Sequence, residues 1–389
     1  MKKLLFIIFF LSFVFLNAQQ QKLSDKAEIS VLTIAPGLSL NDAFGHNGFR
    51  IKDETIGIDI IYGYGEYDFN APNFYLNFAR GKLNYLISKD SASRIFKWYS
   101  YQNRTIKEQV LNLTLSEKQE LYNFLQNNYQ PENRRYLYDF FYDNCATKIR
   151  DVISTISEDD INFNAPKGFK QKTFRQLIHD HVDRNSWGGF GIDLALGSVI
   201  DKKATAEEHM FLPYYIHVFF ESATINTSRP LVKQTTVLFE SIKKPKSNNF
   251  ATSPLFAFGV IGLLILLVTI FDYKKNKRSL WLDVTIFAFT GIVGIIVLLL
   301  WFATNHSATA QNYNLLWAFA LNIFVISQLF KKIVKTWFIK YLKILIIMMC
   351  LLALHWIVGV QIYAIGLIPI LIAFFIRYLF LIKYYQKNI

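Results

Sequence analysis

Apolar positions divide this chain into two unlike halves. From Leu255 to the end, runs of Leu, Ile, Val, Phe and Trp recur in blocks close to the roughly twenty residues that the hydrocarbon of a bilayer requires. They predict five spans, at 255–271, 281–303, 315–330, 338–358 and 362–382. Only Gly359, Gln361 and Gly366 separate the last two, but a single helix over 344–382 would be about 60 Å long, too long for one crossing. Before Leu255 the apolar runs are short and alternate with polar residues. FRIK (49–52) reads as a strand, KDETIG (52–57) as a hairpin connection and IDIIYGYG (58–65) as the partner strand. In ATKIRDVISTIS (146–157), Ile149, Val152, Ile153 and Ile156 share one face at helical spacing, behind the N-cap types Asp143 and Asn144. The pattern predicts an α+β domain followed by an all-α multi-span membrane domain.

The first residues, MKKLLFIIFFLSFVFLNAQ, have the layout of a secretory signal peptide over 1–18, with cleavage after small Ala18; a membrane anchor is the alternative. Either way residues 19–240 form an exported domain. SIKKPKSNNFATSP (241–254), polar, basic and proline-bounded, reads as the linker to the membrane domain at 255–389. YKKNKRS, KKIVK and the tail KYYQKN are basic, whereas NHSATAQNYN (305–314) contains no Lys or Arg. Five spans put every basic segment in the cytoplasm and the neutral loop outside, in agreement with export of the N-terminal half and with an inner-membrane location. The net charge of +13 lies mostly in these segments and in the signal peptide. The exported domain is nearly neutral, so nothing argues for a nucleic-acid partner. No phosphate loop, metal-ligand spacing or internal repeat is present, and no cofactor or metal is implied.

The chain has two cysteines, and Cys350 lies inside the fourth span, out of reach of Cys145. An unpaired thiol in an exported domain is either a small buried hydrophobe or a reactive group. Cys145 falls in the first turn of the helix that Asn144 opens, where free N–H groups and the positive end of the dipole favour a thiolate and could hold an oxyanion. A nucleophile there needs a base. His306 and His355 belong to the membrane half; His179 and His181 read as a solvated helix face, metal binding being the lesser reading; His209 and His217 flank an apolar stretch as core or rim. His46, in AFGHNGFRI, stands where a glycine-flanked turn enters a strand, well placed to face a site, a plain turn histidine being the alternative. If the hairpin centres between Glu54 and Thr55, His46 sits opposite Gly63, with Tyr62 and Tyr64 on either side. A hydroxyl there could orient the imidazole, which makes Tyr64 a third catalytic candidate and Tyr62 and Asn144 candidates for substrate binding; tyrosine as strand filler is the competing account.

GHNGFR around His46, YGYGEYDF (62–69), the segment ending RGKLNY (80–85), YDFFYDNCATKIRD around Cys145, and WGGFGIDLALGSVIDKKATAEEHMFLP (187–213) resemble the periplasmic domain of the Lnb family of lipoprotein intramolecular acyltransferases. NHSATAQNYNLLWA (305–318) is similar to the outer loop of related multi-span proteins. The resemblance covers residues 28–220 and, more loosely, the rest. It implies a circularly permuted papain-like fold, in which the histidine strand precedes the cysteine helix, with Cys145 as nucleophile and His46 as general base. It also implies a reaction in which a fatty acyl chain leaves the glyceryl group of a lipoprotein, forms a thioester on Cys145 and passes to the amine of the lipoprotein's N-terminal cysteine. A lipoprotein or lipid substrate and the bilayer are then the expected partners. Aromatic stretches such as FNAPNFYLNF (69–78) and MFLPYYIHVFF (210–220) could wall the lipid, pack at the membrane interface or serve as core. Alternatives of other classes are a thiol peptidase or amidase on cell-wall peptides and a non-catalytic envelope protein.

The loop asymmetry fixes a topology that fusion reporters read directly. A reporter placed after Ser279 is expected in the cytoplasm and one within Ser307 to Gln311 outside it; the reverse at both sites overturns the five-span reading.

Overall fold

The structure is a computed structural model that describes residues 21–69, 71–82, 84–157, 159–226, 228–242 and 249–387. The expected signal peptide and the centre of the expected linker lie outside the described residues. The exported domain consists of β1 (Glu28–Ile34), β2 (His46–Asp53), β3 (Ile58–Tyr67), α1 (Phe74–Ala79), β4 (Asn84–Ser91), α2 (Ala92–Tyr101), β5 (Ile106–Leu111), α3 (Leu115–Asn128), β6 (Arg135–Leu137), α4 (Cys145–Ile156), β7 (Ile161–Asn162), α5 (Phe174–His179), α6 (Trp187–Ala195), α7 (Pro213–Ser222), β8 (Thr224–Ile225), β9 (Arg229–Pro230) and β10 (Val232–Phe239). Seven strands form one antiparallel sheet in the order β10-β5-β1-β2-β3-β4-β6, and β7 to β9 form a small second one.

Strand alternation gives the large sheet two apolar faces. Val31, Phe49, Ile51, Tyr62 and Tyr64 point to the face that α4 covers with Ile149, Val152, Ile153 and Ile156, together with Leu121 and Leu125 of α3 and Phe219 and Phe220 of α7. Leu32, Ile34 and Ile61 point to the opposite face, under Ala92, Ile95 and Tyr99 of α2. The helix over 145–156 and its apolar stripe are therefore as the spacing predicts. The stretch 210–220 is mainly core, with Met210, Ile216, Phe219 and Phe220 buried. On the other aromatic stretch, Tyr75 and Phe78 are exposed.

The hairpin β2–β3 forms around the predicted turn, but its register differs from expectation. Gly48, not His46, faces Gly63, because β3 extends past the turn and Asp53 pairs with Ile58. The pairing moves by two residues, which keeps every side chain on its face.

Among the described residues, four helices are long and apolar enough to cross a membrane: α8 (Pro254–Lys275), α9 (Leu280–Phe302), α11 (Thr336–Val358) and a last one over 365–387, whose α-helical part is α12 (Ile368–Lys387). The final pair is thus two separate helices. The third expected span, 315–330, is not a continuous helix: a 3-10 turn at Tyr313–Leu316 precedes the eight-residue α10 (Asn322–Leu329). This segment nonetheless runs down the length of α9. A Cβ on Gly294 would collide with the Ala318 carbonyl, one on Gly291 would lie 2.7 Å from Ile323 N, Asn322 Nδ2 donates to Thr290 Oγ1 (2.7 Å), and Arg278 Nη2 donates to the Leu329 carbonyl (2.6 Å). Broken backbone at this depth is tolerated because it is sheathed in protein, with Asn314 and Asn322 buried. The chain therefore passes five times between the two ends of the bundle, the third time as an interrupted segment.

Polar contacts join the two domains at the outer end. Asn312 Nδ2 donates to the Leu194 and Ala195 carbonyls (2.8 and 3.1 Å), Asn314 Nδ2 to that of Asp193 (3.2 Å), and the Ile362 N–H to Asp201 (3.3 Å). At the inner end Arg377 pairs with Asp272 and Asp283 (both 2.7 Å), and Arg278 with Asp283 (3.0 Å), tying α8, α9 and α12 together.

Close approach at Gly294 generates a stability test. Gly294→Ala drives a methyl into the Ala318 carbonyl and is expected to destabilise the detergent-solubilised protein by about 1–3 kcal/mol. Gly259→Ala meets nothing within 4 Å and is expected to leave Tm unchanged or raise it, since alanine is the better helix former. Equal melting of the two variants would count against the close packing of the interrupted segment.

Candidate active site

The loop ahead of α4 closes on itself before the helix begins. Asp139 and Asp143 exchange backbone hydrogen bonds (both 3.0 Å), and Asp139 Oδ1 accepts from the N–H of Phe141 (2.8 Å) and Tyr142 (3.1 Å). Asn144 then caps the helix: Oδ1 accepts from Ala146 N (2.7 Å) and Thr147 N (3.0 Å), while Thr147 Oγ1 accepts from Asn144 N (2.8 Å). Its Nδ2 donates to the carbonyls of Phe140 (2.6 Å) and Phe211 (2.9 Å). Every donor and acceptor of this buried side chain is used within the protein. Asn144 holds the cap instead of contacting substrate, a correction to its expected role.

Cys145 is thereby fixed in the first helical turn, with the N–H groups of Asn47, Cys145 and Ala146 directed at Sγ. Gly65, at φ +95° in a bulge of β3, passes over it: a Cβ there would lie 4.0 Å from Cys145 Cβ and 3.9 Å from Tyr136 Oη. Burial pushes the thiol up to about 11, more than those N–H groups and the Arg104 charge pull it down. The resting group is therefore a thiol, not the thiolate expected of a helix N-terminus, because desolvation exceeds the dipole's effect. Cys145 retains partial surface exposure, so a reagent can reach it.

His46 opens β2, paired with Ile34. Since the next residue's N–H reaches Sγ, peptide dimensions put His46 Cα within about 7 Å of the sulfur. The imidazole lies over Gly63, whose missing Cβ would be 3.2 Å from Nε2. Burial first, and then the Arg104 charge, lower its pKa to about 4, with Asp42 opposing. At neutral pH the ring is uncharged and able to accept a proton.

Neither tyrosine completes a triad. Residues flanking a strand position point to the opposite face, so Tyr62 and Tyr64 lie in the core beneath α3 and α4 while the His46 ring lies on the α2 side. Tyr64 Oη donates to Asn128 Oδ1 (2.6 Å), and Tyr62 is fully buried. The groups that do accompany His46 had no sequence signal. Tyr99, Ser88 and Asp90 line with it a recess of about 70 Å³. The Arg104 guanidinium stacks 4.9 Å from the Tyr99 ring, with Nε donating to the Ala35 carbonyl (2.8 Å) and Nη1 to Asp42 (3.2 Å).

The remaining histidines lie elsewhere. His179 contacts buried Asp193 (2.9 Å), itself paired with Arg175, so it belongs to an inner polar network and not to a solvated face. His181 meets the Leu177 carbonyl (2.9 Å) and His209 that of Thr205 (2.7 Å). Among the described residues no group of three or more His, Cys, Asp or Glu is arranged to hold a metal.

The outer loop of the membrane domain grips the loops of this site. Ser307 Oγ donates to Asp139 Oδ2 (2.7 Å), Asn305 N to the Arg80 carbonyl (2.8 Å), and His306 Nε2 meets the Phe78 carbonyl (3.1 Å). A cavity of about 360 Å³ lies between Phe141, Tyr142 and Phe174 on one side and Ser307 and Gln311 on the other. Leu38, Leu40, Phe69 and Trp187 are exposed apolar residues of the same domain. The Cys145 loop thus opens toward the membrane domain.

Two family models match the chain: the Lnb N-terminal periplasmic domain over residues 15–180 and the Lnb transmembrane domain over residues 245–388. No curated protein and no solved structure matches it.

Because the thiol is held up to about 11, its thiolate fraction rises tenfold per pH unit below that value. Iodoacetamide labelling of Cys145 is therefore expected to accelerate steadily from pH 7 to 10, followed by peptide mass spectrometry. A plateau reached by pH 7 would mean a preformed thiolate–imidazolium pair instead.

Proposed function

Given that the chain belongs to the Lnb family, an integral membrane protein with a periplasmic domain, we propose that it is a thiol acyltransferase of the inner membrane. In this reading it moves a fatty acyl chain from the glyceryl group of a lipoprotein to the amine of that lipoprotein's N-terminal cysteine. The observation that carries this reading is the placement of Cys145. A capped, half-buried cysteine, with an uncharged histidine on the adjoining strand, follows a loop hydrogen-bonded, through Asp139 and Ser307, to the outer end of a bundle of membrane helices. Such a site lies where the ester bonds of membrane-anchored lipids lie. A peptidase acting on wall peptides has no comparable use for this attachment.

His46 takes the thiol proton as Sγ attacks the ester carbonyl, and returns it to the departing glyceryl oxygen. The acyl group is left as a thioester. His46 then accepts a proton from the incoming amine, the thioester carbon passes to nitrogen, and the sulfur leaves and recovers its proton. Since neither group is charged at rest, proton transfer accompanies attack, and loss of either partner disables both steps. The amine competes with water by being tethered to the same molecule, an advantage that can reach about 7 kcal/mol or more. Exposed apolar residues of the periplasmic domain, Leu38, Phe69 and Trp187 among them, offer contacts for the acyl chains.

Cys145→Ala is expected to abolish activity and His46→Ala to lower it at least about a hundredfold, with the double variant no worse than Cys145→Ala alone. Given a diacylated lipopeptide with a free α-amine, the protein should yield a product of unchanged mass with one acyl chain moved to nitrogen. A gain of mass from phospholipid would mean transfer between molecules, release of fatty acid a lipase, and cleavage of a wall peptide with the lipopeptide untouched a peptidase.

A further inference from the structure

We propose that Arg104 supplies, through Nη2, the donor that receives the acyl carbonyl oxygen as Cys145 attacks; this rests on the acyl-transfer reading of the site. Arg104 is 4 % exposed, and its guanidinium is clamped on three sides. Nε donates to the Ala35 carbonyl (2.8 Å), Nη1 to Asp42 Oδ1 (3.2 Å) and Gln102 Oε1 (3.3 Å), and the Tyr99 ring lies 4.9 Å beneath Cζ. Nη2 is buried and, among the described residues, has no partner. An unmet N–H on a buried cation costs stability, so its retention in an otherwise fixed guanidinium points to a partner that arrives with the substrate.

Its location fits the reacting atoms. Ala35, which holds Nε, follows Ile34, the residue paired with His46. Tyr99, under the guanidinium, shares the recess of His46. The Arg104 charge acts on both the thiol and the imidazole. Asn103, at φ +55°, turns the chain sharply out of α2 and directs the next residue into this corner.

Part of the usual source of oxyanion donors is already committed. At the start of α4 the N–H groups of Ala146 and Thr147 bind Asn144 Oδ1. The Cys145 and Asn47 N–H groups stay directed at Sγ, and the cation adds a charged donor to them. As the Sγ–C bond forms, the carbonyl π pair moves to oxygen, the thiol proton moves to His46, and the oxyanion pairs with Nη2. Collapse restores the carbonyl and expels the glyceryl oxygen, which takes the proton from His46. Arg104 keeps its charge throughout.

Two reactions of the same cysteine separate this role from a structural one. Acylation by p-nitrophenyl octanoate passes through an oxyanion, whereas alkylation by iodoacetamide, a displacement at a saturated carbon, does not. In the full-length protein in detergent, Arg104→Gln is expected to slow acylation of Cys145 about a hundredfold while alkylation stays near the wild-type rate. Arg104→Lys keeps the charge without the fork, retains a partner for Asp42 and should fall between; its acylation-to-alkylation ratio decides the matter where the glutamine variant does not fold. Parallel slowing of both reactions, or acylation at the wild-type rate, overturns the proposal. If wild-type Cys145 is alkylated but never carries an octanoyl mass, the acyl-transfer reading itself fails, and this proposal with it.

Discussion

Burial of the first turn of α4 is the constraint on which the rest of the site depends. A helix N-terminus enclosed by protein must have its free N–H groups satisfied, and Asn144 does so while tethering the turn to the carbonyls of Phe140 and Phe211. The same enclosure desolvates Cys145 enough to keep it a thiol, and it keeps the neighbouring imidazole uncharged. Reactivity is then conditional: neither group is charged until a substrate arrives to take up the charge. A thioester formed in such a place is shielded from bulk water, as transfer in preference to hydrolysis requires.

The membrane domain does more than anchor this site. Its outer loop holds Asp139, in the turn that precedes the cap, and the backbone of Arg80. A Cβ at Gly197 would collide with the Ala310 carbonyl, so the two domains meet backbone to backbone. At the opposite end, Arg377 with Asp272 and Asp283 fixes α8, α9 and α12. Charges buried among helices are costly to leave unpaired, which makes this network a determinant of how the bundle closes. The interrupted third segment, laid against Gly291 and Gly294, completes the helical frame beneath the loops around Cys145.

Several local features were legible from the residues alone because they depend on neighbours in the chain. The Ile149, Val152, Ile153 and Ile156 stripe predicts α4 and its buried face, and Asn144 predicts its start. The turn between β2 and β3 follows from its polar residues, and the membrane half follows from composition. Errors arose where one contact had to be chosen among several. The interrupted third span is as apolar as its neighbours, and only its packing against glycines of α9 shows that it is not one helix. Tyr64 fails as a third catalytic group for a reason already present in strand alternation, since a residue beside the His46 partner position must face away.

Sequence by itself determined a periplasmic domain joined to a membrane bundle, and a lone cysteine at a helix start with His46 at a strand entrance. Those follow from hydropathy, charge and local backbone rules, which act over a few residues. Tertiary structure alone decided the protonation of Cys145 and His46, because desolvation is a property of what surrounds a group and not of its neighbours in the chain. It also decided that the charge of Arg104, forty-one residues before the cysteine and without any motif of its own, acts on both.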